Sequence, residues 1–169
     1  MVKYLLDTNI VLRFRNPSDE QHGLVTEAVA TLLMQGYECC LTAQVLIELW
    51  VVATRPTEVN GLGWSIEQTR QVIDQLTVRF PLVEEGPQIL WTWLTLVTEN
   101  EIKGKRTHDA RLAAVMAVAD ISQILTLNPS DFAGILGIPT VRPQDIDGKV
   151  PETQVLRDWL LTEFELVKP

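Results

Sequence analysis

The segment YLLDTNIVL (residues 4–12) contains an apolar run that ends on Asp7, followed by Thr8 and Asn9, after which apolar residues resume. A short, continuous apolar run is typical of a parallel strand that is buried on both faces. In open α/β sheets, ligands bind in the crevice at the carboxyl ends of the strands. Asp7 would lie at such an end, so we expect it to belong to a site.

Strand and helix patterns alternate along the rest of the chain. The predicted strands cover residues 2–6, 37–41, 121–127 and 138–142, and helical patterns cover about residues 9–15, 20–35, 42–55, 65–80, 87–101 and 110–119. Thr42, Ser65 and Thr107 are suited to cap three of these helices. This alternation predicts an α/β domain with a mostly parallel central sheet of four or five strands, flanked by helices.

The composition is typical of one globular domain. The chain has 169 residues, of which 46% are apolar and 21% charged, enough to bury a sizeable core. No apolar stretch approaches the roughly 20 residues of a membrane span, and Met1 leads directly into the first predicted strand. We therefore expect a cytoplasmic protein without a signal peptide. The only cysteines, Cys39 and Cys40, are adjacent and cannot crosslink distant segments.

The charge distribution leaves two interpretations open. A net charge of -8 argues against holding nucleic acid by bulk electrostatic attraction. Several basic residues nevertheless fall in two short segments: Arg13 and Arg15, then Lys103, Lys105, Arg106 and Arg111. They form either a local basic rim around a site or scattered solubilising charge.

Three more carboxylates occupy positions that suggest a site. Glu48 lies on a helix with mostly apolar neighbours, Asp109 lies near the start of an alanine-rich helix, and Asp131 follows the strand at 121–127. Each has an ordinary structural explanation, such as a helix cap, a helix dipole or a turn. Glu48 is the hardest to explain in this way, because an unpaired buried carboxylate is costly. If the four carboxylates converge, a hard cation such as Mg²⁺ or Mn²⁺ would offset their repulsion.

Four segments, in this order, resemble the signature segments of the PIN-domain family, most of all its VapC-type toxin ribonucleases: LLDTNIVL, QVLIELWVVA, THDARLAAVMAVA and ILTLNPSDF. The resemblance covers about residues 1–143 and implies a PIN-like three-layer sandwich for that nuclease domain. Residues 144–169 extend beyond it, with a helical apolar stripe of Val155, Leu156, Trp159, Leu160 and Phe164. This C-terminal helical extension either packs on its own domain or contributes to a dimer or antitoxin interface.

The resemblance also implies roles for individual residues. Asp7, Glu48 and Asp109 would be the catalytic carboxylates that hold the metal, Mg²⁺ or Mn²⁺. The fourth acidic position falls on Asn128 or Asp131, and Asn128 departs from the aspartate that many relatives place there. Thr8, Asn9 and Thr126 would orient the carboxylates and the attacking water. Lys105 and Arg106 would hold RNA phosphates.

The implied function is metal-dependent hydrolysis of RNA phosphodiester bonds by the toxin of a toxin–antitoxin pair, with a homodimer and a cognate antitoxin as partners. Two alternatives come from other classes. A haloacid-dehalogenase-like phosphatase would need a second aspartate at position 9, where this chain has Asn9. A PIN-like domain with weak catalysis would act by binding RNA or a protein partner, and the neutral Asn128 is consistent with that alternative.

Overall fold

The computed structural model describes residues 1–135 and 137–148, and within them the strands form one parallel sheet. The strands are β1 (Lys3–Leu6), β2 (Glu38–Cys40), β3 (Gln123–Leu125) and β4 (Thr140–Val141), in the order β2-β1-β3-β4. Leu5 pairs with Cys40 on one side and with Ile124 on the other. The chain therefore leaves β1 toward one neighbour and returns on the opposite side, which opens a crevice at the carboxyl end of β1.

Helices flank this sheet. They are α1 (Thr8–Phe14), α2 (His22–Met34), α3 (Ala43–Thr54), α4 (Ile66–Arg79), α5 (Gln88–Glu99) and α6 (Arg106–Val118). Short 3-10 turns cover Thr57–Val59, Pro129–Phe132 and Pro143–Asp145. The Thr42 side chain caps α3 through Val45 N, and the Ser65 side chain caps α4 through Gln68 N, as predicted. The predicted α/β class with a mostly parallel sheet is confirmed, with four strands in the described residues.

The core lies between the sheet and the helices because the central strands are apolar on both faces. Leu5, Ile124 and Leu125 are completely buried, and Ile10 and Leu49 cover them from α1 and α3. Helix α1 packs against α2 and α3, and α5 packs against α6. Burial of this many aliphatic side chains, at about 1.5–3 kcal/mol each, fixes the ends of β1 and β3 beside each other.

One predicted helix start is wrong. The alanine-rich helix begins at Arg106, four residues before the predicted Ala110, and Thr107 lies inside its first turn. The Thr107 hydroxyl donates to the carbonyl of Gly104 at 2.8 Å and caps no backbone N–H. Gly104 has a φ of 62°, a left-handed conformation that glycine adopts without strain, so the chain enters the helix immediately after it.

The chain beyond position 148 lies outside the described residues, as does position 136. The predicted C-terminal helical stripe therefore falls outside the described part of the chain. Of the extension, residues 144–148 are described, and the carbonyl of Asp147 accepts a hydrogen bond from Gln35 Nε2 at 2.7 Å. None of the helices in the described ranges has the length and apolar character to cross a bilayer.

Candidate active site

Asp7 lies at the carboxyl end of β1, where the sequence places it, and the fold holds both of its carboxylate oxygens. Its backbone N–H donates to the Leu125 carbonyl at 3.1 Å, which continues the pairing with β3 by one residue. Oδ1 accepts from Thr8 N at 2.7 Å, while Oδ2 accepts from Thr126 Oγ1 at 2.7 Å and from Asn9 Nδ2 at 3.1 Å. With 8% of its surface exposed, Asp7 is both the end of a strand and the N-cap of α1.

Thr126 and Asn9 tie this carboxylate to the end of β3. Thr126 is fully buried, and its hydroxyl donates to Asp7 while accepting from Asn128 N at 3.1 Å and Asn9 Nδ2 at 3.2 Å. The side-chain oxygen Oδ1 of Asn9 accepts from Leu127 N at 3.1 Å. We call Asp7, Thr8, Asn9 and Thr126 the Asp7 network. Its hydrogen bonds connect residues more than 100 positions apart, so it forms only when the sheet has formed.

Glu48 is held from α3 by two side chains. Its Oε2 accepts from Thr8 Oγ1 at 2.8 Å, which joins it to the Asp7 network, and its Oε1 accepts from Gln44 Nε2 at 2.9 Å. Because Gln44 lies one helical turn before Glu48, both side chains lie on the same face of α3. Glu48 is therefore directed at the end of β1, as its polar character among apolar neighbours indicated.

Gln44 is a site residue that the sequence analysis did not identify. It is 8% exposed, and its amide also donates to the His108 carbonyl at 2.9 Å and accepts from Arg111 Nη1 at 3.3 Å. It thus connects Glu48 to the first turn of α6. The signal in the sequence was its position as the one polar residue at helical spacing from Glu48, but that spacing alone does not show what a glutamine contacts.

Asp109 lies in the first turn of α6, and the charges of the other carboxylates affect its pKa. Partial burial raises its pKa to about 6, and the negative charges of Asp131, Asp7 and Glu48 add to the rise, while Arg106 opposes it. The pKa of Asp7 is also raised, first by burial, and the charges of Glu48 and Asp131 contribute. The hydrogen bonds from Thr126 and Thr8 N oppose that rise. The charges of Glu48 and Asp131 thus contribute to the raised pKa values of both Asp7 and Asp109.

The two candidates for the fourth acidic position differ in their contacts. Asn128 is exposed, caps the 3-10 turn Pro129–Phe132, and bonds to Thr126 through its backbone N–H. Asp131 is exposed within that turn, and its charge raises the pKa of both Asp7 and Asp109. The negative charge on this side of the region therefore comes from Asp131.

The donor set has the chemistry of a hard-cation site, with oxygen as the ligand atom throughout. Burial is the main cause of the raised pKa of Asp109, and a divalent cation would offset the added repulsion from Asp131, Asp7 and Glu48. Within residues 1–135 and 137–148, however, no three His, Cys, Asp or Glu side chains come close enough together to hold one ion directly. An ion that keeps several of its waters, as Mg²⁺ does, fits this looser arrangement.

The predicted basic rim is only partly arranged around the carboxylates. Lys105 and Arg106 are exposed at the start of α6, and the Arg106 guanidinium donates to the Ala133 carbonyl. Arg13 bonds to the Asn9 carbonyl at 3.1 Å. Arg15 was expected on this rim, but its guanidinium donates to Gln75 on α4. Arg111 forms an ion pair with Glu85.

Comparison with known proteins identifies the family. Residues 4–134 match the model of the PIN domain. The fold is similar to that of the crystal structure of VapBC2 from Rickettsia felis bound to a DNA fragment from their promoter. There the TM-score is 0.61 and the identity 20%, over 83% of this chain and 98% of that chain.

It is also similar to the DNA-bound VapBC from Salmonella typhimurium, with a TM-score of 0.61 and 18% identity over 85% of this chain and 99% of that chain. The VapBC-1 structure from nontypeable Haemophilus influenzae gives a TM-score of 0.59 and 18% identity over 85% and 99% of the two chains. No curated protein matches the sequence. The family match spans most of the chain and agrees with the four-stranded parallel sheet, so the chain belongs to the PIN domain family.

Proposed function

We propose that this chain is a divalent-metal-dependent endoribonuclease that acts in the cytoplasm as the toxin of a toxin–antitoxin pair. The observation that carries the proposal is Asp7, fixed by three hydrogen bonds at the crevice beside β1 and joined through Thr8 to Glu48, with Asp109 near enough for its pKa to be raised by their charges. Such carboxylates are costly to hold together without a cation. Their position at the switch point of a parallel sheet is where ligands bind in such folds.

In this proposal, Asp7, Glu48 and Asp109 would hold Mg²⁺ or Mn²⁺ in part through waters that the ion keeps, and Asp131 would add negative charge at the edge beside Asn128. When bound, the metal lowers the pKa of a coordinated water and stabilises charge that builds on the phosphate. Thr126 and Asn9 keep the Asp7 oxygens in place, and Thr8 and Gln44 do the same for Glu48. Pre-organised ligands need no rearrangement when the substrate arrives.

The test is cleavage of single-stranded and structured RNA with Mg²⁺ or Mn²⁺. We expect a chelator to abolish cleavage, and Asp7→Asn to reduce it at least about 100-fold, because the variant loses a charged ligand. Asp74→Asn is the matched control: Asp74 is exposed on α4 in an ion pair with Arg70, and its variant should keep full activity.

Undiminished cleavage by Asp7→Asn would contradict the proposal. RNA binding without cleavage, combined with no Mg²⁺ or Mn²⁺ binding by calorimetry, would favour the catalytically weak PIN-like domain instead. Calorimetry is required because a folded domain with a poor site loses metal affinity as well as activity.

We include two partners in the proposal, a cognate antitoxin and a second copy of this chain. The three similar structures reported above are of VapBC proteins. Large apolar side chains are exposed on two helices, with Ile47 and Val51 on α3 and Trp91 on α5. Residues 1–143 would form the nuclease domain and residues 144–169 a helical extension. Co-purification with the product of a neighbouring reading frame tests the antitoxin, and a monomer by light scattering at micromolar concentration would reject the homodimer.

A further inference from the structure

A pocket of about 500 Å³ lies between the segment that precedes α5, α5 itself and the start of α6, the helix whose first turn carries Asp109. Its volume falls within the range of about 300–1,000 Å³ that is usual for small-ligand sites. We call it the α5–α6 pocket. Its walls include Glu85, Ile89, Leu90, Trp93, His108 and Arg111.

One side of the α5–α6 pocket is apolar and fixed in shape. Ile89 is buried, with 4% of its surface exposed, and packs with Trp93 in a small cluster between α5 and α6. The Trp93 indole N–H donates to the Thr107 carbonyl at 2.8 Å, which fixes the ring relative to the start of α6. Leu90 is 55% exposed at the same pocket. Rigid apolar and aromatic walls of this kind are surfaces on which nucleobases stack.

The other side is polar and contains an ion pair. Arg111 and Glu85 form an ion pair through Glu85 Oε2. Glu85 Oε1 is buried and has no hydrogen-bond partner among the described residues. Because Oε1 is enclosed, a ligand N–H in the pocket would bond to Oε2, which accepts from Arg111 and has the capacity for a second hydrogen bond. Nucleobases carry N–H donors on their edges, beside flat apolar faces.

The pocket is connected to the carboxylates through one side chain. Arg111 donates to Gln44 at 3.3 Å, and Gln44 donates to Glu48 at 2.9 Å. The same amide bonds to the carbonyl of His108, the residue directly before Asp109. A nucleotide whose base occupies the pocket would therefore have its phosphate close to the region that Glu48 and Asp109 share.

We propose that the α5–α6 pocket is a subsite for one nucleobase of the RNA strand, next to the phosphate that is cleaved, and that it sets a base preference. Ile89, Leu90 and Trp93 would contact the face of the base, and Glu85 would accept a hydrogen bond from its N–H edge. This inference rests on the proposed ribonuclease function. An apolar protein segment is a poorer occupant, because it would cover the Arg111–Glu85 pair without offering it a hydrogen-bond partner.

The experiment measures binding of the four nucleoside 5′-monophosphates to the full chain by NMR, in chelator, with ribose 5-phosphate as reference. Chelator separates base binding from phosphate binding to a metal. We expect at least one nucleotide to bind at least about tenfold more tightly than ribose 5-phosphate and to shift the Trp93 indole resonance, identified by its loss in Trp93→Phe.

Two pairs of variants locate the site. Leu90→Trp fills the pocket from an exposed position and should weaken nucleotide binding about tenfold, whereas Leu94→Trp makes the same change on α5 outside the pocket walls and should not. Glu85→Gln replaces an acceptor with a donor and should change the rank order of the four nucleotides. Glu84→Gln, an exposed neighbour outside these walls, should leave that order unchanged.

Several results would overturn the inference. These are equal binding of the nucleotides and ribose 5-phosphate, binding unaffected by Leu90→Trp, or a rank order unaffected by Glu85→Gln. Loss of self-association in Leu90→Trp with nucleotide binding unchanged would assign the surface to a second copy of the chain instead. Metal-dependent cleavage without base binding would reject the subsite but not the proposed ribonuclease function. Base binding without cleavage would reject the ribonuclease function but not the nucleobase site.

Discussion

The two sides of the carboxylate region are built in different ways. Asp7 is 8% exposed, and its oxygens accept three hydrogen bonds from the Asp7 network. The Asp109 carboxylate, on the other side of the region, accepts no hydrogen bond from the residues that the structure describes, and its pKa is about 6. Hydrogen bonds within the fold therefore hold the Asp7 carboxylate. The Asp109 carboxylate is positioned only by the start of α6, and neighbouring negative charges disfavour its ionised form.

This difference indicates how the two sides would respond to a cation. The Asp7 network supplies its own stabilisation, because hydrogen bonds to a charged acceptor contribute more than those between neutral groups. The Asp109 side has no such contribution, and a cation is the partner that would relieve its repulsion. Removing the Asp109 charge should therefore stabilise the metal-free protein, whereas removing a hydrogen-bond donor of the Asp7 network should destabilise it.

The largest expected effect is that of Thr126→Val, which preserves shape and removes the hydroxyl at the centre of the Asp7 network. The variant loses the hydrogen bond to Asp7 and leaves the Asn128 N–H without its acceptor, while Asn9 Nδ2 keeps only its bond to Asp7. We expect the free energy of unfolding to fall by about 2–3 kcal/mol, measured by urea unfolding in chelator.

Thr26→Val is the matched control for this substitution. Thr26 is buried on α2 with 6% of its surface exposed, and its hydroxyl oxygen has no hydrogen-bond partner within the described residues. Removing that hydroxyl should leave stability unchanged or raise it. Equal losses in Thr126→Val and Thr26→Val would show that the Asp7 network contributes nothing specific.

The sequence predicted the Asp7 side well because its signals are local. A buried parallel strand reads as a short apolar run, and the residue that ends it must lie at the edge of the sheet where a crevice opens. Thr8 and Asn9 follow Asp7 directly, so their backbone positions are set by the same strand end. Glu48 was predicted to be a site residue for a related reason, because a carboxylate among apolar helix neighbours needs a polar partner.

The parts that were missed depend on long-range contacts or on a single turn. Gln44 bonds to His108, which lies 64 positions away, and nothing in the helical pattern of α3 predicts that partner. Arg15 was expected near the site, but it bonds to Gln75, 60 positions away on α4. The start of α6 was misplaced because Thr107 is a good capping residue by type, whereas the left-handed Gly104 sets the actual start.

The second prediction is that Asp109→Asn stabilises the metal-free protein, because it removes a charge that the fold disfavours. The gain should be about 1 kcal/mol, since Asp109 is partly exposed and solvent screens its charge. The folded-state pKa of about 6 lies above the ordinary value of 3.8, so the fold favours the protonated form. The resulting penalty is absent below pH 4, grows as the pH rises through about 6 and is then constant. Urea unfolding in chelator between pH 4 and 7.5 measures it.

Asp7→Asn is the comparison for that prediction, since its amide N–H₂ group would face the donors Asn9 and Thr126. It should gain less stability than Asp109→Asn, or lose some. The advantage of Asp109→Asn over the parent should disappear near pH 4. A constant advantage at all pH values would mean that the gain does not come from the charge of Asp109.

The smallest expected effect concerns the basic residues on the Asp109 side. Lys105 and Arg106 are exposed, so reversing both to Glu should leave folding intact and weaken RNA binding. Each phosphate contact on a single strand contributes a slope of about 0.7 to the dependence of log affinity on log salt, so losing two contacts should flatten the slope by about 1.4. Fluorescence anisotropy in chelator measures this without cleavage.

The double reversal Arg70→Glu and Arg142→Glu is the control for net charge, because both residues are exposed and lie in ion pairs with Asp74 and Asp145. It changes the charge of the chain by the same amount at positions outside the carboxylate region. An equal loss of RNA affinity in both double variants would attribute the effect to bulk charge. A loss confined to the Lys105 and Arg106 variant would assign the phosphate path to the start of α6, where Arg106 also lowers the pKa of Asp109.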